Sequence, residues 1–228
     1  MPSTPASRTA AAFFDVDETL ITFKSMFDFY DYFLDAVGHS PEEQERLRAD
    51  ARSLLRPGMP RQQGNRLFYR RFTGYAEAEV AKHGAAWFEH HMAQGGVFNE
   101  DVLAALREHT AAGLTTVLVS GSFSACLDPI ARYVGADVTL CTRLEVRDGV
   151  YTGEVLRTMI GDAKAGSARE LIEEWGVPAA DCHAYGDHTS DLELLRLVGH
   201  PVVVGDNADL VAEAEKHGWR RLAGTLAL

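Results

Sequence analysis

Two carboxylates, Asp15 and Asp17, directly follow the apolar residues 10–14. Because alternate side chains of an extended chain point to the same side, both carboxylates can reach one substrate. One can attack a phosphorus atom and hold a magnesium ion, while the other protonates the leaving oxygen and then deprotonates water. A pair of exposed acids in a turn is the alternative, and three further segments of the chain argue against it.

Each of these segments supplies a group that phosphoryl transfer through an aspartyl-phosphate needs. The hydroxyl of Ser120 and the backbone of Gly121 can donate hydrogen bonds to phosphate oxygens near the start of a helix. Lys164 can neutralise both the attacking carboxylate and the phosphoryl group. Asp187 and Asp191 can supply the oxygen ligand, and its support, that magnesium prefers.

Three of the four segments follow short apolar runs that are typical of buried parallel strands, at residues 10–14, 115–119 and 182–185. Further strands are predicted at 138–141 and 201–204, with helices between them and a hairpin around Asp148 and Gly149. This alternation indicates an α/β protein with a Rossmann-like, mainly parallel sheet. In such sheets the ligand crevice lies beyond the carboxyl ends of the strands, so the four segments are expected to meet there.

Residues 21–96, the helical insertion, show helical periodicity with almost no strand signal. The predicted domains are therefore a core made of residues 1–20 and 97–228 and an α-helical insertion between its two parts. Within the core, Asn99 is predicted to cap a helix, and another helix is predicted over residues 166–175. Residues 1–9 are predicted to form a loose tail.

The composition excludes several classes of partner. A net charge of −11 argues against binding to nucleic acids or anionic membranes, but a local positive pocket can still take a small anionic substrate. The three cysteines are widely spaced and form no CxxC pair, which fits a reducing cytoplasm better than a disulfide framework or a zinc site. The apolar stretch near the start is too short for a signal peptide or a membrane span.

Taken together, these residues resemble the haloacid dehalogenase superfamily of phosphatases, in the expected order and over nearly the whole chain. The helical insertion stands where that superfamily carries its cap, and residues 143–155 and 199–202 resemble its phosphoserine-phosphatase-like branch (subfamily IB). The resemblance implies that Asp15 is the nucleophile and Asp17 the general acid and base. The second acid also distinguishes phosphatases of the superfamily from its true dehalogenases.

The resemblance also implies a magnesium ion (Mg2+) held by Asp15, by the carbonyl of Asp17 and by Asp187, with Asp191 in support. It implies that Ser120 and Lys164 bind phosphate. We also assign Thr19 and Gly121 to phosphate binding.

One position departs from the phosphoserine phosphatases, which carry a glutamate nine residues after the nucleophile to bind the substrate's ammonium group. This chain has Lys24 there, and a lysine would repel an ammonium and attract a carboxylate or a second phosphate. Arg70, on a predicted helix of the insertion, is a second candidate for substrate specificity. The alternative for both residues is that they are solvated surface charges without a role in specificity.

These observations predict a magnesium-dependent phosphatase of a small phosphorylated metabolite, such as a sugar, cyclitol or carboxylic-acid phosphate. Phosphoserine phosphatase and phosphotransferase remain alternatives within enzymes. A non-catalytic phosphate-binding protein is the alternative outside them, and the presence of both Asp15 and Asp17 argues against it. The sequence leaves the oligomeric state open.

Overall fold

A six-stranded sheet, parallel at every pairing, forms the centre of the computed structural model, which describes residues 8–55 and 58–224. The strands are β1 (Ala11–Asp15), β2 (Thr115–Ser120), β3 (Val138–Cys141), β4 (Arg143–Arg147), β5 (Val150–Arg157), β6 (His183–Gly186), β7 (His200–Val204) and β8 (Arg220–Leu222). Their order in the large sheet is β3-β2-β1-β6-β7-β8, and β4 and β5 form a separate antiparallel hairpin. This confirms the predicted α/β, Rossmann-like fold.

Helices cover both faces of the sheet. They are α1 (Ser25–Ala36), α2 (Pro41–Arg52), α3 (Arg61–Tyr69), α4 (Glu77–Gln94), α5 (Glu100–Ala111), α6 (Ser124–Val134), α7 (Asp162–Trp175), α8 (Leu192–Leu197) and α9 (Ala208–His217). Alternate residues of β1 point to opposite faces, so Phe14 joins one apolar cluster and Phe13 the other. Helices α5 and α6 contribute to the Phe14 cluster, and α7, α8 and α9 to the Phe13 cluster.

The helical insertion contains α1 to α4 and packs around aromatic side chains. Phe29, Phe33, Phe72 and Trp87 are at most 1% exposed, and their rings lie 5.4–6.1 Å apart in several pairs. Phe123, just before α6, packs on the same group with its centroid 5.0 Å from that of Phe72. The apolar interior of the insertion therefore continues into the cluster on one face of the sheet.

The hairpin forms through the turn chemistry that the sequence predicts. Asp148 and Gly149 both have positive φ, of 52° and 77°, which is the pattern of a type I′ turn. Backbone hydrogen bonds then tie the hairpin to the insertion, from Gly74 N–H to the Tyr151 carbonyl at 2.9 Å and from Tyr151 N–H to the Tyr75 carbonyl at 3.0 Å. The hairpin thus continues the insertion rather than the large sheet.

Several predicted elements differ in detail. Helix α7 begins at Asp162 rather than at residue 166, because Gly161 adopts a φ of 60° immediately before it, so Lys164 lies inside the first turn. Asn99 precedes α5 but does not cap it with its side chain, which donates instead to the Ala223 carbonyl at 3.1 Å. Strand β8 was not predicted. The predicted tail falls mostly on residues 1–7, outside the described residues.

No helix in residues 8–55 or 58–224 combines the length and apolar character needed to cross a bilayer.

Candidate active site

The carboxyl ends of three neighbouring strands bring the predicted segments together. Asp15 ends β1 and Ser120 ends β2, while Asp187 directly follows β6. Strand β1 lies between β2 and β6 in the sheet, and Lys164 enters from the first turn of α7. All four side chains line one cavity of about 400 Å³, which is a typical size for a small-molecule site.

An ion-pair network joins Lys164 to two carboxylates at this cavity. Lys164 Nζ contacts Asp15 Oδ1 and lies 2.5 Å from Asp191 Oδ1, and all three side chains are nearly fully buried. Burial opposes a charged amine, but the two carboxylates outweigh it and raise the pKa of Lys164. Burial raises the pKa of Asp15 well above its ordinary value, and the charge of Asp191 adds to this effect. Lys164 therefore supplies a permanent positive charge beside Asp15.

Three carboxylates form a cluster that fits a divalent cation. Asp15, Asp187 and Asp191 each present an oxygen within 4.8 Å of the others. Burial, together with the charge of Asp191, raises the pKa of Asp187 to about 6. Lys164 balances only one of the three negative charges. Oxygen donors with an excess of negative charge are the surroundings that magnesium prefers, so the residues present fit the implied metal.

The hydroxyl of Thr19 connects two carboxylates of the cluster. Its Oγ1 lies 3.0 Å from Asp15 Oδ2 and 3.0 Å from Asp187 Oδ1, so the hydroxyl bridges two carboxylates and donates to one at a time. Thr19 is fully buried and is not among the residues that line the cavity. The hydroxyl is therefore placed to orient the two carboxylates, and a direct contact of this side chain with phosphate stays a prediction.

Asp17 lies outside the carboxylate cluster, and its side chain has its own partner. Its Oδ1 accepts a hydrogen bond of 3.0 Å from the backbone N–H of Ser25, the first residue of α1. Burial raises the pKa of Asp17, against the lowering effect of the hydrogen bonds from Ser25. A carboxyl group that keeps its proton closer to neutral pH is suited to general acid catalysis. Asp17 lines the cavity together with Asp15.

The loop after β2 directs a hydroxyl group towards the cavity. The Ser122 N–H donates to Ser120 Oγ at 3.0 Å, so the oxygen of Ser120 acts as an acceptor on that side and its own proton points elsewhere. A Cβ at Gly121 would lie only 3.0 Å from Ile160 Cγ1, so glycine permits this close approach. These features suit Ser120 and Gly121 to contact with a phosphate group.

The helical insertion supplies much of the remaining wall. Its apolar side chains in the lining are Met26, Phe27, Leu54 and Met59, and Ile160 of the core adds to them. Two exposed cations, Lys24 and Arg61, also line the cavity. Lys24 Nζ forms an ion pair of 3.1 Å with Glu18, a residue held at a φ of 61° in the loop after β1.

The family model of the haloacid dehalogenase-like hydrolases matches residues 12–196. The chain belongs to this family. The match spans the Asp15, Lys164 and Asp187 segments and the whole helical insertion. It confirms the predicted family and the prediction of a hydrolytic enzyme.

Individual known proteins also resemble the chain over most of its length. It is 36% identical over 220 residues to a probable phosphatase of Mycobacterium tuberculosis, covering 94% of this chain and 75% of that protein. It is 29% identical over 234 residues to a phosphoserine phosphatase of the same species, covering 94% and 71%. A solved protein of unknown function from Bordetella pertussis has the same fold, with a TM-score of 0.83 at 23% identity, covering 94% and 98%.

Of the two residues predicted to set substrate specificity, only one lines the cavity. Lys24 lines the cavity, whereas Arg70 does not: it is mostly exposed, with its guanidinium 3.9 Å from Glu154 on the hairpin. The sequence analysis did not identify Arg61, whose Nη1 lies 2.7 Å from Nδ1 of His188. It also missed Asn65, which is buried and lines the cavity. The orientation of α3 decides which of its polar residues face inward, and the sequence carries no signal for it.

Proposed function

We propose that this protein is a magnesium-dependent phosphatase that hydrolyses a small phosphomonoester through an aspartyl-phosphate at Asp15. The observation that carries the proposal is that two carboxyl groups with different surroundings, Asp15 and Asp17, line the same cavity as Lys164 and Ser120. Burial raises the pKa of both carboxyl groups, but of the two only Asp15 contacts Lys164 and belongs to the carboxylate cluster, where added positive charge favours an ionised nucleophile. Asp17 lies outside that cluster, which favours its role as the proton donor.

The reaction follows from these two environments. An oxygen of Asp15 attacks phosphorus, the bond from phosphorus to the ester oxygen breaks, and Asp17 gives its proton to the departing alkoxide. Asp17 then takes a proton from a water molecule, whose oxygen attacks the phosphorus of the aspartyl-phosphate. The bond between phosphorus and Asp15 breaks and inorganic phosphate leaves. Lys164 and the Ser120 hydroxyl stabilise the negative charge on the phosphoryl oxygens throughout.

The magnesium ion would be held by Asp15 and Asp187 together with the Asp17 carbonyl, and Asp191 would support it. When bound, it supplies positive charge that neutralises the phosphoryl oxygens. Its charge would also lower the pKa of Asp15, which burial and the neighbouring carboxylates otherwise raise.

The cavity wall narrows the predicted range of substrates. Met26, Phe27 and Met59 favour a leaving group with a hydrocarbon part, because each Å² of buried apolar surface contributes about 25 cal/mol. Lys24 and Arg61 place positive charge at the same cavity, which favours a carboxylate. Within sugar, cyclitol and carboxylic-acid phosphates, we therefore favour a carboxylic-acid phosphate, since the hydroxyls of the other two would face apolar side chains.

Phosphoserine is the alternative that the similarity to a phosphoserine phosphatase favours. Its ammonium group would meet the positive charges of Lys24 and Arg61, although Glu18 offsets the first of them.

We also propose the division into a core and an inserted cap at residues 21–96, and a cytoplasmic location.

A panel of phosphate esters with and without magnesium tests the function. We expect release of phosphate from p-nitrophenyl phosphate and from phosphorylated hydroxy acids, loss of activity in excess chelator, recovery with magnesium and poor recovery with calcium. Phosphoserine should be a slower substrate, and Lys24→Glu should narrow that difference. Faster turnover of phosphoserine than of every other ester would restore that alternative. Transfer of phosphate to added glycerol would indicate a phosphotransferase, and phosphate binding without turnover of any ester would refute catalysis.

A further inference from the structure

The carbonyl of Gly121 is unusual because three side chains donate hydrogen bonds to it. Thr142 Oγ1 lies 2.8 Å away, Asn65 Nδ2 2.9 Å and the Tyr69 hydroxyl 3.1 Å. Thr142 belongs to the core, whereas Asn65 and Tyr69 come from α3 of the helical insertion. A carbonyl oxygen has two lone pairs, so three donors saturate it and fix the orientation of the peptide group.

That peptide group links the insertion to the Ser120 hydroxyl. The Gly121 carbonyl and the Ser122 N–H are the two ends of one planar unit. When donors hold the carbonyl, the N–H points at Ser120 Oγ, which accepts it at 3.0 Å. The Ser120 proton is then directed away from Ser122, where it can be donated to a phosphate oxygen.

Both donors on α3 are firmly placed. Asn65 is 4% exposed and Tyr69 is fully buried. Burial raises the pKa of Tyr69 well above its ordinary value, so the hydroxyl keeps its proton and stays a donor. Asn65 also donates towards Met26 Sδ at 3.8 Å, which ties its amide to the cavity wall. Because they lie four residues apart, they share one face of the helix.

We infer that Asn65 and Tyr69 are positioning residues, through which the insertion helix α3 orients Ser120 for phosphate binding. Both side chains donate to the Gly121 carbonyl rather than to Asp15, Asp17 or Lys164. The site for phosphate is therefore complete only while α3 is seated on the loop after β2. The inference rests on the proposed function, because it assigns phosphate binding to Ser120.

Tyr69→Phe tests the inference with little change in shape. It removes one of the three hydrogen-bond donors to the Gly121 carbonyl. We therefore expect inorganic phosphate to bind about three- to tenfold more weakly, which corresponds to the loss of one hydrogen bond. Calorimetric titration in the presence of magnesium measures the affinity. Asn65→Leu should weaken phosphate binding at least as much. For p-nitrophenyl phosphate, the change should fall on KM more than on kcat. Tyr30→Phe is the control, because Tyr30 is also a buried tyrosine of the insertion but packs on Phe68 and Phe72 instead.

A double variant separates positioning from general stability. In a Ser120→Ala background there is no hydroxyl to orient, so adding Tyr69→Phe should change phosphate affinity by less than about twofold. Equal losses in the two backgrounds, or an affinity for phosphate unchanged by Tyr69→Phe, would overturn the inference even if the parent is an active phosphatase. A parent protein that neither binds phosphate nor hydrolyses any ester would instead overturn the proposed function, and the inference with it.

Discussion

At the scale of single residues, Asp191 shows how a side chain outside the cavity lining organises the site. Its Oδ1 holds Lys164, and its Oδ2 accepts the backbone N–H of His188 at 3.2 Å. A Cβ on Gly186 would lie 2.6 Å from the Cβ of Asp191, so the glycine at the end of β6 makes room for it. One carboxylate thus sets the position of the lysine and the path of the loop that carries Asp187.

The prediction at this scale concerns the general acid. Asp17→Asn keeps the shape of the side chain but removes the acidic carboxyl proton. Turnover should therefore fall by about 10²- to 10⁴-fold. The rate of the first step, formation of the aspartyl-phosphate, should fall less with p-nitrophenyl phosphate than with an alkyl phosphate, because nitrophenolate leaves without a proton. Rapid-quench kinetics on both esters would measure the two steps. Equal losses in the first step for both esters would argue that Asp17 does not protonate the leaving group.

At the scale of elements, the sequence predicted the parts that depend on local pattern. Short apolar runs marked β1, β2 and β6, and the chemistry follows each of them, so the meeting of Asp15, Ser120 and Asp187 was foreseeable. The three-residue strand β8 carries two exposed arginines and has no alternating pattern to reveal it. The missed inward-facing residues of α3 depend on how that helix packs against the loop after β2. Such tertiary contacts leave no local signal.

The close crossing of α4 and α6 gives a prediction at the scale of elements. A Cβ on Gly84 would lie 1.9 Å from the Ala125 carbonyl oxygen, so Gly84→Ala must separate the two helices. We expect it to lower the free energy of unfolding by about 1–3 kcal/mol, as overpacking does.

Gly166→Ala, also inside a helix, is the control, because its added Cβ would meet nothing within 4 Å. It should raise stability by about 0.5–1 kcal/mol. Urea unfolding of both variants measures the difference, and a neutral Gly84→Ala would contradict the close packing of these helices.

At the scale of the whole molecule, the two ends of the sheet carry different chemistry. The candidate active site lies at the carboxyl ends of the strands, whereas three histidines lie together at the amino ends of β6 and β7. The ring of His183 lies 4.2 Å from that of His109 and 4.6 Å from that of His200. Arg220 adds positive charge nearby, and the negative charge of Glu108 acts on His109. Burial, with the charges of His109, His200 and Arg220, lowers the pKa of His183 to about 4.

This group of three histidines predicts a loss of stability in acid that is separate from catalysis. Between the ordinary histidine pKa of about 6.5 and about 4, His183 is protonated in the unfolded chain but not in the folded one. The unfolded state then binds more protons, so the free energy of unfolding falls as the pH falls through this window. His183→Gln should reduce the loss, and His90→Gln, at an exposed position of α4, should not. Urea unfolding at several pH values measures the free energy of unfolding. If that free energy falls with pH in His183→Gln as much as in the parent, His183 is not the source of the acid sensitivity.

The aspartyl-phosphate at Asp15 is the central claim, and trapping it is the most direct measurement. The enzyme is mixed with magnesium and an ester that it hydrolyses, then quenched in acid and reduced with borohydride. Position 15 should then contain homoserine, because borohydride reduces an acyl phosphate to an alcohol. Peptide mass spectrometry would locate it. We expect the product at position 15 only after exposure to substrate, and none in Asp15→Asn, whose turnover should fall at least about a thousandfold. Active parent enzyme without modification at Asp15, or with modification at another carboxylate, would contradict the account.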